Sequence, residues 1–454
     1  MFDFGYDVSD YKKIDPIFGT IEDFDNLRKV TKQKGIKLLL DFVPNHNSEK
    51  HEWFQKSAMN DTKYIDYYIW ANGRVLNDTY ERLPPNNWLS KFGGSAWTWN
   101  EDRGQYYLHK YLSQQPDLNY RNPNVSMEMK DVLTYWLEKG VDGFRIDAVS
   151  SLFEDKNLTF ENRSDDMNAK PGNYKSLNHS STINQPENHV LIAEWRKLVD
   201  EYSKKDGKTR ILIVQSSGDF SEVTAYFGSK NNPEAHFPFN FGLISGISNK
   251  SNAQDIKRII ETWSSVETKN WVMVDIMNML VLLLPGTAVT YYGEEIGMED
   301  TPIKWENIKD SACLSTGRKK HALLCRDFER TPFQWDNTEN AGFSTSIGKI
   351  WLPVNSQYNE VNLKNQMDSD RSIYKTYKRL IEARKEPAVQ SGSLNITVPN
   401  DNILTFSRDL EGHKSFVVIM NLGKTQLPID LSMYNALKGN VTVYASSLNS
   451  SFTM

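Results

Sequence analysis

Hydrophobic spacing along the first half of the chain repeats one theme. Phe24, Leu27 and Val30 recur at helical spacing within residues 21–34; Gly35 follows, and then the short apolar run 36–43, closed by Pro44. Met129, Val132, Leu133 and Trp136 mark one face of a helix over 127–138, and Gly140 precedes a strand over 141–146. A further helix over 190–205 leads to a strand over 210–214. A helix followed by a short apolar strand, repeated, predicts an α/β architecture around a buried parallel sheet. Residues 236–241, 270–274 and 287–292 are further strand candidates.

Two stretches break this alternation. Residues 45–120 are rich in Trp, Asn, Pro and Gly and are far too long for a plain strand-to-helix loop. They predict an inserted subdomain. Residues 291–362 are a second irregular stretch. From about Gly392 the texture changes to short β-rich runs at 394–398, 403–407, 415–420 and 441–445, which predict a small all-β domain. The expected domains are therefore 1–45 with 121–385, the insertion 46–120, and 390–454. At 270–275 a strand pattern runs straight into a helical one with no turn residues between, so a connecting segment is expected to be missing there.

Composition narrows the function. The 454 residues carry a net charge of −5 with no long basic run, which argues against nucleic-acid binding by phosphate neutralisation. The 21 Phe, 21 Tyr and 12 Trp suit either a large aromatic core or a neutral, ring-faced ligand such as a sugar. The longest apolar run, 272–284, contains Asp275 and falls short of the roughly 20 residues of a membrane span. The N-terminus lacks the basic and apolar regions of a signal peptide. Ten Asn-x-Ser/Thr acceptors nevertheless point to a secreted glycoprotein. Cys313 and Cys325 are compatible with a disulfide or with two thiols.

Candidate chemistry sits just after the predicted strands, where a βα barrel builds its active site. One strand ends Asp41-Phe-Val-Pro-Asn-His46 and another ends Gly143-Phe-Arg-Ile-Asp147. Arg145 and Asp147 are two apart and share a face. That places a guanidinium beside a carboxylate, either to hold an ionised nucleophile or as a structural pair. Between these two strand ends lies Gln114-Gln-Pro-Asp-Leu-Asn119, and beyond them come Gly286-Thr-Ala-Val-Thr-Tyr-Tyr-Gly-Glu-Glu-Ile-Gly-Met298 and Arg330-Thr-Pro-Phe-Gln-Trp-Asp336, the last followed by Asn340-Ala-Gly-Phe343. Five motifs in this order resemble the α-amylase family of glycoside hydrolases, in particular its insect maltase type of α-glucosidase, over essentially the whole chain.

The resemblance implies a TIM (β/α)8 barrel with an inserted subdomain and a C-terminal β-domain. It implies retaining hydrolysis of α-glucosidic bonds in maltose- or sucrose-like sugars. By position, Asp147 matches the nucleophile, Arg145 the arginine paired with it, and His46 a histidine touching glucose hydroxyls. Asp3 and Tyr6 match residues that grip and stack on the terminal glucose. Arg330 opens the loop after the last strand, with its role open. The expected partner is a small α-glucoside, and no cofactor or metal site is expected; calcium is compatible with the family, whose N-terminal calcium loop has no counterpart in this sequence.

Three departures change the expectation. The family's general acid is a glutamate at the end of the fifth strand, and the matching residue is Gln215. Glu194 imitates the acid motif but falls inside the preceding helix, and Asp219 lies four residues beyond Gln215. The Asn-His-Asp motif expected at the end of the seventh strand is absent and would fall at the turnless junction. The family's first two strands would lie upstream of Met1. Two of three expected carboxylates are thus missing. The expected outcomes are an α-glucosidase-family protein with impaired catalysis, a non-catalytic sugar-binding or interaction protein, or an incomplete or decayed gene product.

Overall fold

In a computed structural model, the described residues are 2–75, 82–242, 246–248, 251–264, 270–271, 276–318, 325–345, 350–423, 425–430, 434 and 441–447. The chain divides into two compact units, Met1–Phe239 with Lys309–Cys325, and Asn240–Ile308 with Arg326–Met454.

The first unit opens with helix α1 (Ile21–Gln33), started by a capping box in which Thr20 and Asp23 satisfy each other's backbone N–H. Of its predicted apolar face only Phe24 reaches the core, edge-on to Trp136 at 5.0 Å, while Leu27 and Val30 stay exposed. Strand β1 (Leu39–Phe42) follows. The insertion then contributes helix α2 (Glu52–Ala58) and five short strands: β2 (Trp70–Ala71), β3 (Arg74–Val75), β4 (Arg82–Leu83), β5 (Trp97–Asn100) and β6 (Gln105–Leu108). They form a three-stranded sheet, β2-β6-β5, and a hairpin, β3-β4.

Helix α3 (Pro123–Glu138) is capped by Asn122 and starts on proline, where a missing N–H costs nothing. Met129, Val132, Leu133 and Trp136 are all buried, as their spacing predicts, each contributing about 1.5–3 kcal/mol relative to exposure. Strand β7 (Gly143–Ile146), helix α4 (Glu187–Asp206), strand β8 (Ile211–Val214), helix α5 (Phe220–Ala225) and strand β9 (Phe237–Pro238) complete the series. The sheet is parallel in the order β1-β7-β8-β9. Its register aligns Phe42, Ile146 and Val214, so the residues that follow them emerge together at one edge. Gly143 has φ +147°, and a Cβ there would lie 2.0 Å from the Ile211 carbonyl oxygen. Glycine is what lets β7 approach β8 so closely.

In the second unit, strand β10 (Asn270–Trp271) pairs in parallel with β11 (Thr287–Ala288). Helices α6 (Ala253–Ser264), α7 (Ile276–Leu283) and α8 (Ile373–Arg384) accompany them. Strands β12 (Ser393–Asn400), β13 (Ile403–Asp409) and β14 (Phe416–Asn421) form an antiparallel sheet. One core runs from Ile256 and Ile260 on α6 through Leu280 on α7 and Leu380 on α8 to Phe406 and Met420 of the sheet. Two arginines close the C-terminal end of α7. Arg384 donates to the Leu282 carbonyl at 2.6 Å and to that of Gly286; the buried Arg408 donates to the Leu283 carbonyl at 2.8 Å. Those of Leu282 and Leu283 are helix-end carbonyls, which have no partner within the helix.

The strand expected at 441–445 does not form: that segment is described but is not part of a ladder. Residues 272–275 of the turnless junction lie outside the described residues. Cys313 and Cys325 are both buried and are not joined in a disulfide. No helix among the described residues is long and apolar enough to cross a membrane.

Candidate active site

The parallel sheet brings four polar side chains to one edge. Asp41 and Arg145 are register partners on β1 and β7. Asp147 and Gln215 follow the aligned pair Ile146 and Val214, and two backbone bonds hold them: Asp147 N–H to the Phe42 carbonyl and Gln215 N–H to the Ile146 carbonyl, each 2.9 Å. The sheet ladder therefore fixes the relative heights of these residues before any side-chain contact is made.

Arg145 joins all of them. Its Nη1 donates to Asp41 Oδ1 at 2.8 Å and to Asp147 Oδ1 at 2.6 Å, and its Nη2 donates to Gln215 Oε1. The guanidinium also lies 5.9 Å from the ring of Tyr6 and 6.0 Å from that of Phe239. The Gln215 carbonyl oxygen is spent on Arg145, and its amide nitrogen has no partner among the described residues. An amide in this position donates a hydrogen bond but has no proton to give up. Burial pushes the Asp147 carboxyl above the ordinary range, and the Asp41 charge adds to this; Arg145 opposes both. Arginine alone therefore does not return Asp147 to an ordinary carboxylate, contrary to the simple expectation from the Arg145–Asp147 spacing.

Behind this row lies the Asp3–Tyr6 turn, in which Tyr6 N–H donates to the Asp3 carbonyl at 2.7 Å. Phe4 and Gly5 both have positive φ there. The turn is tied down at both ends. Tyr6 hydroxyl donates to Asp41 Oδ2 at 2.7 Å, and the buried Asp3 accepts from Gln115 Nε2 at 3.1 Å. Burial first, then the Asp41 charge, pushes the Tyr6 phenol well up, so it stays a donor. His46 is buried, with Asn45 Nδ2 at 3.1 Å from Nδ1 and the Tyr6 carbonyl at 3.1 Å from Nε2. Burial holds its pKa down at about 4, so the ring is neutral with its proton on Nε2. Both nitrogens are engaged, and His46 supports the Tyr6 turn rather than facing outward.

The inserted subdomain reaches the same region through the turn Val149–Ser151. Lys110 Nζ donates to the Ser151 carbonyl at 2.9 Å and pairs with Asp117 and Glu154, each at 3.1 Å. Lys91 Nζ donates to Ser151 Oγ at 3.1 Å and to the Tyr111 hydroxyl at 3.0 Å. Tyr111 in turn packs against His46, with ring centroids 5.0 Å apart.

Asp3, Tyr6, His46, Arg145, Asp147 and Gln215 thus fall in one unit and one cluster. Arg330 belongs to the other unit, where its charge acts on the phenols of Tyr291 and Tyr292. Glu194 lies on α4 with a half-exposed side chain 3.8 Å from Lys130. Asp219 is the N-cap of α5 and shares a capping box with Glu222. Both are thereby accounted for away from the Gln215 amide. Sequence reading missed Asp41, Lys91, Tyr111 and Gln115. Asp41 and Gln115 carried a signal, each as a member of a motif read from the sequence. Among the described residues, no three His, Cys, Asp or Glu side chains converge as metal ligands would.

The profile for the alpha amylase catalytic domain matches residues 1–274 and 252–392. Maltase 1 of Drosophila virilis is 42% identical, covering 98% of this chain and 73% of its own length. The amino acid transporter heavy chain SLC3A1 of Homo sapiens is 37% identical, covering 96% of this chain and 64% of its own. Among solved structures, the alpha-glucosyl transfer enzyme XgtA superposes with a TM-score of 0.81 at 29% identity, covering 92% of this chain and 80% of its own. A glutamate-to-glutamine mutant of the trehalulose synthase MutB, solved in complex with the substrate sucrose, gives 0.78 at 29% identity over 92% and 81%. The parallel strands are those of the TIM barrel and the antiparallel sheet that of the C-terminal β-domain, and the chain belongs to the α-amylase family of glycoside hydrolases.

Proposed function

We propose that this chain is an α-glucosidase of the maltase type whose nucleophile is intact and whose general acid is replaced. The carrying observation is that Asp147 and the Gln215 amide share one guanidinium at the ends of adjacent strands. Asp147 attacks the anomeric carbon as the bond to the leaving oxygen breaks, giving a covalent glucosyl-enzyme that water then hydrolyses with overall retention. Asp3 and Tyr6 grip the terminal glucose, and His46 sets their turn. Arg330 is given no step. The substrate is a small maltose- or sucrose-like sugar, and the reaction draws on no cofactor.

Gln215 can hydrogen-bond the leaving oxygen but cannot protonate it, nor can it later take a proton from water. Both half-reactions are slowed, by roughly 10²–10⁴-fold for a missing acid. An aryl α-glucoside with a good leaving group escapes the first penalty but not the second. Mixed with the folded protein, it should release a burst of about one leaving group per chain and then turn over slowly, while maltose gives almost no glucose. Gln215→Glu should raise maltose turnover. The absence of any burst from cooperatively folding protein would sink the proposal.

A second reading, a non-catalytic sugar-binding or interaction protein, is favoured by the similarity to a transporter heavy chain. It predicts no burst, and no gain of turnover in Gln215→Glu. We also place the protein outside the cell as a glycoprotein, because the six described acceptors, Asn60, Asn124, Asn157, Asn162, Asn178 and Asn395, are all exposed.

A further inference from the structure

Charge around the nucleophile does not balance within the sheet. Asp41 and Asp147 both lean on Nη1 of one guanidinium, and Nη2 of that guanidinium is spent on a neutral amide. Two carboxylates and one arginine leave about one negative charge over, in a site where Asp147 keeps only 14% of its side-chain exposure. The charge on Asp147, unlike that on the half-exposed Asp41, is costly unless an opposite charge is near.

Lys91 is the converse case. It is part-buried in the inserted subdomain, its backbone N–H tied to the Lys110 carbonyl at 2.9 Å. Its ammonium is held by two neutral oxygens, the Tyr111 hydroxyl and Ser151 Oγ. No described carboxylate lies within ion-pairing distance of it. Lys110 differs, since two carboxylates neutralise it. Ser151 stands four residues after Asp147, so the bond from Lys91 fixes the ammonium to the turn that follows the nucleophile.

Taking Asp147 as the nucleophile, as proposed above, we propose that Lys91 is a positioning residue for it, supplying the positive charge that Arg145 leaves uncompensated. Burial draws the Lys91 ammonium below the ordinary lysine range and the Asp147 charge opposes this, just as the Lys91 charge opposes the burial that raises Asp147. The other groups facing Asp147 are Arg145, Asp41, Tyr6 and Tyr111, and those facing Lys91 are Tyr174, Lys110, Asp117 and His46. His46 is neutral, and burial keeps the three phenols protonated. Lys110 is bound to Asp117 and Glu154. Among these groups Lys91 is the cation left free to answer the Asp41–Asp147 pair. A hydrophobic or neutral residue in its place would leave the nucleophile protonated to higher pH.

The test is the pH dependence of covalent labelling of Asp147 by an α-glucosyl fluoride carrying a second fluorine at C5, read by intact mass. Lys91→Gln keeps a donor for Tyr111 and Ser151 but removes the charge; Lys91→Arg keeps the charge. Thermal melting confirms that each variant folds, and the glutamine variant stands in for any apolar one that does not. Losing the cation should move the acid limb of labelling up by about one pH unit, a roughly tenfold slower reaction at a pH below both limbs. Lys91→Arg should restore the wild-type limb. An unchanged limb in folded Lys91→Gln, with the wild type labelled, overturns the role of Lys91 alone. A wild-type chain that is never labelled at Asp147 overturns the nucleophile and, with it, this inference.

Discussion

At the scale of single residues, the site is organised by one arginine with too many claims on it. Arg145 orients Asp147, anchors Asp41 and occupies the carbonyl of Gln215, so changing any partner redistributes the others. Asp41→Asn removes a like charge beside Asp147. It should shift the acid limb of Asp147 labelling to lower pH, the direction opposite to loss of Lys91, in the same mass-resolved titration. Gln215→Glu brings a carboxylate to Arg145 Nη2 and should speed maltose hydrolysis by roughly 10²–10⁴-fold, measured as glucose release. Asp147→Asn should remove the aryl-glucoside burst altogether, because the other carboxylate of the row, Asp41, is held on β1 by Arg145 and the Tyr6 hydroxyl.

At the scale of elements, the ladder does the placing. Gly143→Ala would drive a Cβ into the Ile211 carbonyl and force β7 away from β8, which carry Asp147 and Gln215. The expected loss is about 1–3 kcal/mol or more, read as a lower denaturation midpoint with diminished labelling. Much of this was legible beforehand. The α3–β7 and α4–β8 couplets were legible because their apolar residues repeat at helical spacing and end in short buried runs. Asp147, Arg145 and Gln215 followed because they close those runs. Other features were not legible because they depend on tertiary contacts. Leu27 and Val30 keep helical spacing yet remain exposed, since periodicity marks a face without naming what covers it. Residues 441–445 have strand composition but no ladder, because β-propensity needs a neighbouring strand to act on. Lys91 reads as an ordinary lysine in an irregular stretch, and its importance emerges only when the insertion meets the turn after β7.

At the scale of the whole molecule, four histidines that burial keeps neutral shape the response to acid. Burial lowers His46, His51, His109 and the part-buried His236 from the ordinary 6.5 to about 4. Their contribution to stability is therefore complete above about pH 6.5 and is lost as pH falls towards 4, where the unfolded chain takes up protons that the folded one refuses. Each adds up to about 1.4 kcal/mol per pH unit within that window, so the melting temperature should drop steeply between pH 6.5 and 4.5. Protein secreted from eukaryotic cells should also lose mass on treatment with an endoglycosidase, and an unchanged mass would refute the glycoprotein assignment. A last consequence concerns synthesis. Helix α7 is completed by Arg408, 125 residues downstream of the carbonyl it binds. At roughly 5–20 residues per second, the ribosome delivers that arginine about 6–25 s after the helix itself. During that interval one of the most apolar stretches of the chain is present with its Leu283 carbonyl not yet bound by Arg408. The end of α7 is closed only once β13, which carries Arg408, pairs with β12.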